Sequence, residues 1–174
     1  MQPSPDSLNQ AFLALGGNLG DRVATLSNAR NAVANIIGCT LTGTSSLYQS
    51  PAWGTTDAQP YYLNAVIALT TSLTAIELWH AASAIESQLG RVRTSYQNAA
   101  RTLDIDLLLF GTTVLNTPEL TLPHPRMHLR KFVLLPLLEI APTALIPGIG
   151  CAFDSLCALA DVNPHKLGHN SAWN

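Results

Sequence analysis

The sequence predicts an α+β fold: a ferredoxin-like, split βαβ sheet with helices packed on it and a helical C-terminal appendage. Three observations lead there. Apolar runs such as Ala11-Phe12-Leu13-Ala14-Leu15 and Leu107-Leu108-Leu109-Phe110 mark strands. Two stretches between them repeat apolar residues at helical spacing. The resulting order is strand, helix, strand, strand, helix, strand, followed by helical additions. With 174 residues, 47% of them hydrophobic, the chain can bury one ordinary core. A single domain over residues 1–174 is therefore expected, with residues 1–10 flexible and residues 162–174 a polar tail.

Each element has a local reason. Ala11 to Leu15 is apolar without alternation, as in a strand buried on both faces. Gly16-Gly17-Asn18-Leu19-Gly20 turns the chain, and Asp21 stands at the N-cap of the next helix. This turn lacks the Lys-Ser/Thr of a P-loop and the full dinucleotide spacing, so it reads as a tight structural turn. Val23, Leu26, Ala29, Val33, Ile36 and Ile37 form the helix's apolar stripe, with Gly38 as its C′ residue. Cys39 to Gln49, rich in Thr, Ser, Leu and Tyr, reads as a strand. Pro51 to Pro60 breaks all periodicity and reads as an exposed loop carrying Trp53. Tyr62 to Thr70 is the next strand, and Asn64 within it needs hydrogen-bond partners. Thr74 and Glu77 form a capping box for a helix that runs to Leu89 and stops at Gly90. Leu78, Ala82, Ile85 and Leu89 are its core stripe. Arg91 to Ala100 is polar and irregular, the composition of a mobile lid over an anion. Beyond the strand at Asp104 and Asp106 come a turn at Asn116-Thr117-Pro118 and a proline-stiffened stretch, Leu122 to Arg126. An apolar helix over Phe132 to Ile140 and a short helical run over Phe153 to Ala160 complete the chain.

Composition excludes several classes. A net charge of −2 is not that of a polycation for nucleic acid or a membrane surface. Met1 to Gln10 lacks an apolar signal core, and no run is long enough to span a bilayer. Cys39, Cys151 and Cys157 form no familiar disulfide framework. With His165 and His169 they also miss the short Cys pair of structural zinc sites. A cytoplasmic monomer with no nucleic-acid or membrane partner is expected.

Chemistry concentrates at Arg101-Thr102-Leu103-Asp104-Ile105-Asp106. Side chains alternate along a strand, so Leu103 and Ile105 face one way, Asp104 and Asp106 the other, within about 7 Å of each other. Two carboxylates stay ionised at that spacing when cations accompany them. Mg²⁺ suits such a pair, because it is commonly held by one or two carboxylates plus phosphate oxygens. A bare Asp-x-Asp is more often a solvated strand face, but the neighbourhood is unusual. Six of the nine Lys and Arg lie between positions 91 and 131: Arg91, Arg93, Arg101, Arg126, Arg130 and Lys131. A carboxylate pair among guanidinium groups suits a polyanion carried with metal.

Leu15 to Arg22 (LGGNLGDR), Ser50 to Ala65, Gly90 to Asp106 and Pro123 to Pro136 together resemble the 6-hydroxymethyl-7,8-dihydropterin pyrophosphokinases. The likeness spans about Ala11 to Pro147 in unchanged order. It implies transfer of diphosphate from ATP to the pterin's hydroxymethyl group, with AMP released, in folate biosynthesis. It implies two Mg²⁺ ions on Asp104 and Asp106, and Arg91 and Arg101 on the phosphates as charge develops. Arg93 and Arg130 would support the nucleotide, and Glu86, Leu107 and His124 match positions that hold ATP. Tyr62 and Phe132 would sandwich the pterin, Asn64 would pair with its polar edge, and Pro51 and Trp53 would line the pocket. Three positions depart from the family pattern. Asn98 replaces a Trp of some members, Ala100 a Pro that usually precedes the Arg, and Pro125 an aromatic residue of some members. A nucleotidyltransferase or cyclase using two metals on a ferredoxin-like palm is the alternative enzyme. A small-ligand module of the same fold is the non-enzymatic one, and it would not need the arginine cluster.

Overall fold

In the computed structural model, which describes residues 8–54, 58–89, 100–160, 164–168 and 173, the sheet is assembled on β1 (Asn9–Gly17). Its apolar run is buried on both faces, as the lack of alternation predicts. β4 (Tyr62–Thr71) pairs antiparallel along one edge of β1, from Asn9 opposite Thr71 to Gly17 opposite Leu63. β5 (Asp104–Phe110) pairs antiparallel along the other, from Ala11 opposite Phe110 to Gly16 opposite Asp104. β1 begins at Asn9, so Asn9 and Gln10 of the segment expected to be flexible belong to the strand.

The stretch Cys39 to Gln49, expected as one strand, is two: β2 (Cys39–Thr44) and β3 (Tyr48–Ser50), both paired with β4. Ser45 explains the interruption. Its hydroxyl accepts from the Val66 amide at 2.9 Å, and its own amide donates to the Val66 carbonyl at 2.9 Å. A side chain thus enters the ladder where a backbone carbonyl would stand. β10 (His165–Lys166) adds to the free side of β3, giving the order β10-β3-β4-β1-β5.

α1 (Arg22–Ala34) starts at its predicted cap, where Asp21 accepts from the Ala24 amide at 3.1 Å. It ends a turn earlier than its apolar stripe suggests. Ile37 is 92% exposed, and Gly38, at φ +84°, belongs to the turn into β2. α2 (Ala75–Gln88) carries the capping box, with the Thr74 amide 2.8 Å from the Glu77 carboxylate and the Glu77 amide 3.3 Å from Thr74 Oγ1. Leu26, Val33, Leu78 and Ile85 of these helices pack with Leu13, Leu15 and Ile67 on one face of the sheet. The opposite face, with Phe12, Val66 and Leu108, packs on α3 (Lys131–Ile140) through Leu134 and Leu137. No described helix is long and apolar enough to cross a membrane.

Small elements fill the remainder: a β6 (Leu115–Asn116)–β7 (Thr121–Leu122) hairpin, a 3-10 turn over Met127–Leu129, and a β8 (Leu145–Ile146)–β9 (Gly150–Cys151) hairpin. The one described helix beyond α3 is α4 (Ala152–Cys157), shorter than the predicted run to Ala160. The polar tail also has structure. Beyond β10, Trp173 is buried, its indole donates to the Ser45 carbonyl at 2.8 Å, and the Arg30 guanidinium lies 5.0 Å from its ring centre. Arg30 also donates to the Trp173 carbonyl. Glu139 of α3 accepts from the Ser46 hydroxyl at 2.7 Å, Tyr48 Oη at 2.9 Å and Lys166 Nζ at 2.9 Å, joining α3, β3 and β10. These bonds hold the Glu139 carboxyl below its ordinary range although burial pushes it up.

The end of β1 is the tightest backbone approach. A Cβ on Gly17 would lie 2.2 Å from the Thr102 carbonyl oxygen, against open space around Gly168. Urea titration of Gly17→Ala should show a loss of about 1–3 kcal/mol from overpacking, and Gly168→Ala almost none. Equal stability of both variants would mean that β1 and the Thr102 segment can part freely.

Candidate active site

The alternation read from the sequence sets the site. Leu103 and Ile105 are buried in the α1/α2 core, and Asp104 and Asp106 face the other way, into a cavity of about 300 Å³. Arg101 and Arg130 line it beside the carboxylates. Tyr62, Asn64, Phe132, Pro51 and Trp53 line it as well, on β4, α3 and the loop after β3. Residues read separately as a phosphate group and a ring-binding group therefore share one cavity.

Each carboxylate has its own cation. Asp104 Oδ2 lies 3.0 Å from Arg101 Nη1, and Asp106 Oδ2 lies 3.6 Å from Arg130 Nη1. His124 Nε2 is also 3.6 Å from Asp106 Oδ2. Burial, then Arg130 and Arg126, pushes the His124 pKa down to about 4, so the ring is neutral at pH 7. Its Nδ1 accepts from the Arg126 amide at 3.2 Å, which puts the proton on Nε2, facing Asp106. Burial raises the Tyr62 pKa, with Arg101 opposing it and Asp104 adding to it. The Arg130 guanidinium lies 5.0 Å from the Trp53 ring centre and 5.6 Å from that of Phe132. Its Nε is buried with no hydrogen-bond partner among the described residues.

Two buried polar residues hold this geometry. Asn18, 3% exposed, clasps Arg101 from both sides: its amide donates to the Arg101 carbonyl at 2.9 Å, and its Oδ1 accepts from the Arg101 amide at 2.8 Å. Its Nδ2 reaches Gln59 Oε1 and the Pro60 carbonyl, both at 3.1 Å. Glu86 of α2, 3% exposed, accepts from the Ile105 amide between the two aspartates. Glu86 and His124 do not line the cavity, and Leu107 sits in the core beneath the strand. Arg91, Arg93, Asn98 and all of the expected lid except Ala100 lie outside the described residues. Sequence reasoning gave no role to Asn18, whose partners are 41 to 83 positions away, nor to Gly16 and Ser50, which line the cavity, and it counted Arg126, also in the lining, only as one cation of the cluster. Asparagine in a glycine-rich turn carries no local sign of such distant bonds.

Over residues 12–142 the chain matches the family model described as 7,8-dihydro-6-hydroxymethylpterin-pyrophosphokinase (HPPK). A 2-amino-4-hydroxy-6-hydroxymethyldihydropteridine pyrophosphokinase of Haemophilus influenzae is 41% identical over 157 residues, covering 90% of this chain and 95% of the relative. Proteins of the same name are 40% identical in Methylorubrum extorquens (81% of this chain, 88% of the relative) and 41% identical in Bacillus subtilis (76% and 78%). A crystal structure of Plasmodium falciparum HPPK-DHPS superposes with a TM-score of 0.69 at 15% identity, over 87% of this chain and 44% of that one. This likeness is one of fold, and the present chain spans less than half the length of that protein.

The Asn18 clasp gives a direct test. Asn18→Ala leaves the Arg101 amide without its side-chain acceptor, at a cost of about 1–3 kcal/mol. Chemical denaturation should show that loss, and turnover should fall more than stability explains, because Arg101 loses its fixed backbone.

Proposed function

The chain belongs to the 7,8-dihydro-6-hydroxymethylpterin-pyrophosphokinase family, ATP-dependent enzymes that move diphosphate from ATP to the pterin's hydroxymethyl group on the route to folate, and we propose that it performs this transfer in the cavity beside Asp104 and Asp106. The observation that carries this assignment is the meeting of carboxylates, arginines, aromatic rings and a fixed amide in one cavity. The reaction joins the hydroxymethyl oxygen to the β-phosphorus of ATP and breaks the bond from that phosphorus to the α,β-bridging oxygen. AMP leaves and the hydroxyl proton is released. Such a transfer asks a protein for alignment and for stabilisation of spread negative charge rather than for a covalent intermediate.

The donor set fits Mg²⁺. Asp104 and Asp106 offer hard oxygen ligands on one face, and no cluster of three His, Cys, Asp or Glu forms among the described residues. Phosphate oxygens and water would complete the coordination, the usual manner for this ion. We assign two ions to this pair. Bound there, Mg²⁺ would neutralise phosphate charge and orient the attacking and leaving oxygens.

The chain's own residues divide the rest. Arg101, fixed by Asn18 at the cavity wall, donates to the transferred phosphates, where a planar fork matches two oxygens. Arg130 holds the nucleotide with its second guanidinium edge. Arg91 and Arg93 join these roles by resemblance alone. His124, neutral with its Nε2–H toward Asp106, and Glu86, bonded to the Ile105 amide, steady the strand that carries the ATP side. Leu107 contributes there as part of β5. Tyr62 and Phe132 stack on the pterin, Asn64 meets its polar edge, and Pro51 and Trp53 close the pocket. The finer description of the fold as a ferredoxin-like split βαβ rests on two crossovers. α1 links β1 to β2 across β4, and α2 links β4 to β5 across β1. A cytoplasmic monomer fits the three free cysteines and the relatives' bacterial sources.

Chromatography of ATP, Mg²⁺, protein and 6-hydroxymethyl-7,8-dihydropterin should show AMP only when the pterin is present. Pyrophosphate release instead would point to nucleotidyl transfer. Asp104→Asn and Asp106→Asn should each lower turnover by about 10²-fold or more. Like-charge relief alone would make both variants as stable as the parent. The ion pairs separate them. In metal-free buffer Asp104→Asn should melt closer to the parent, because both partners of its ion pair keep contact with solvent, at 22% and 26% exposure. Asp106→Asn should melt lower, because it leaves the buried Arg130 charge uncompensated. Full activity of both variants at ordinary Mg²⁺ would remove the metal assignment.

The rings give an independent check. Tyr62→Ala and Phe132→Ala should each weaken pterin binding by about 1–3 kcal/mol, the worth of one base stacked on an aromatic ring. Calorimetry with a non-hydrolysable ATP analogue should show a smaller change in nucleotide affinity. Unchanged pterin affinity in both would take the rings out of the pocket.

A further inference from the structure

Glu139 is the last residue but one of α3, and it sits there against local preference. A helix C-terminus carries partial negative charge and disfavours a carboxylate, so its place has a tertiary reason. Each of its oxygens accepts two hydrogen bonds. Oε1 takes Ser46 Oγ at 2.7 Å and Lys166 Nζ at 2.9 Å, and Oε2 takes the Ser46 amide at 3.1 Å and Tyr48 Oη at 2.9 Å. Burial, and then Glu139 itself, raises the Tyr48 pKa, so the phenol stays protonated and donates.

Three of these four bonds go to residues just before the cavity wall. β3 ends at Ser50, and Ser50, Pro51 and Trp53 line the cavity. Phe132, in the first turn of α3, lines it as well. Seven positions, about two helical turns, separate Phe132 from Glu139, so both side chains leave α3 on the same side. Near the cavity that side meets Trp53 through the Arg130 guanidinium, 5.0 Å from the Trp53 ring centre and 5.6 Å from that of Phe132. Two turns on, it is bonded to Ser46 and Tyr48. Pairing with β4 fixes β3 within the sheet. It does not fix how far α3 stands from β3. The sheet residues in the core beneath α3, Phe12, Val66, Ala68, Leu108 and Leu109, come from β1, β4 and β5, and none from β3. Glu139 supplies the missing tie.

We propose that Glu139 is a positioning residue, whose bonds to Ser46 and Tyr48 hold α3 against β3 and thereby set the gap between Phe132 and Trp53. The inference rests on the pterin entering this cavity, and it goes further by naming what sets the width of the cavity from outside it. Glu139 touches no substrate. Without the tie, the loop after β3 and the first turn of α3 are free to part, and the pterin must draw them together as it binds. Walls held in place beforehand spare that cost. The loss therefore falls on KM for the pterin rather than on the step at phosphorus.

Steady-state kinetics well below the melting transition, with AMP formation followed, tests this. Glu139→Ala should raise KM for 6-hydroxymethyl-7,8-dihydropterin about tenfold, the scale of a hydrogen bond to a charged group, with kcat and KM for ATP nearly kept. A general loss of stability would instead lower the amount of active enzyme, and so the apparent kcat, with KM unmoved. Glu139→Gln should restore the parent KM. Its oxygen can face the Ser46 amide and Tyr48 while its amide hydrogens face the Ser46 hydroxyl, and only Lys166, 53% exposed, is released. Tyr48→Phe keeps the ring, loses one of the bonds and should raise the same KM to a lesser degree. In a Trp53→Ala background Glu139→Ala should add little, because the group it positions is gone. Suppose pterin KM is unchanged in Glu139→Ala, or in Tyr48→Phe if the first variant does not fold, while Trp53→Ala still raises it. The proposal is then overturned and the cavity assignment survives. A Glu139→Gln protein as impaired as Glu139→Ala also overturns it, since the ion pair to β10 would then carry the effect. So does a Glu139→Ala effect that is undiminished without Trp53. If Trp53→Ala and Phe132→Ala leave pterin KM untouched as well, the cavity assignment falls together with the proposal.

Discussion

The geometry of the site depends on how the end of β1 is joined to the two strands beside it. Gly17 lets the Thr102 backbone approach more closely than any side chain allows, and Asn18 bonds the chain at Arg101 and again at Gln59 and Pro60. β5 begins three residues after Arg101, and β4 begins two residues after Pro60. The carboxylates of β5 and the Tyr62 wall of β4 are thus launched from one buried knot of hydrogen bonds. Buried polar groups that are fully paired rigidify their surroundings, and this pairing sets the relative placement of both walls of the cavity.

Electrostatic balance is built in before any ligand arrives. Each aspartate faces a guanidinium, the histidine beside Asp106 is held neutral, and Glu86 is bonded to backbone on the other side of the strand. The groups proposed to meet the triphosphate are already oriented by these contacts, so on that reading little reorganisation accompanies the development of charge. Arg130 shows the same economy of placement. Aromatic faces flank its guanidinium, one edge meets Asp106, and Nε is left with a hydrogen to give.

What could be read from the sequence was what is determined within a few residues. The Asp face of β5, the Asp21 cap, the capping box at Thr74, the core stripe of α2 and that of α1 as far as Val33 follow from spacing, and they stand where spacing puts them. The split of β2 from β3 was not legible, because Ser45 takes its ladder partner from Val66, 21 positions on. Ile37 fits the helical stripe by periodicity, yet the helix has already ended when the chain reaches it. Trp173 lies among polar residues in sequence, and its place in the core is set by distant segments, with Arg30 against its ring and its indole on the Ser45 carbonyl 128 positions earlier. The site follows the same division. Residue types announced the chemistry, while the groups that aim them, Asn18 and Glu139, act across distant segments.

β10 and Trp173 close the sheet on the side where β3 would otherwise be its rim. A bare rim strand offers unpaired amides and carbonyls to any other extended chain, and proteins commonly blunt or cover such edges. Here the cover comes from residues beyond the stretch matched by the family model, and from late in the chain. During synthesis β3 and β4 can pair long before their cover exists. Until β10 pairs with them, Tyr48 and Gln49 offer an open template for strand addition, and its docking leaves only a two-residue strand at that edge.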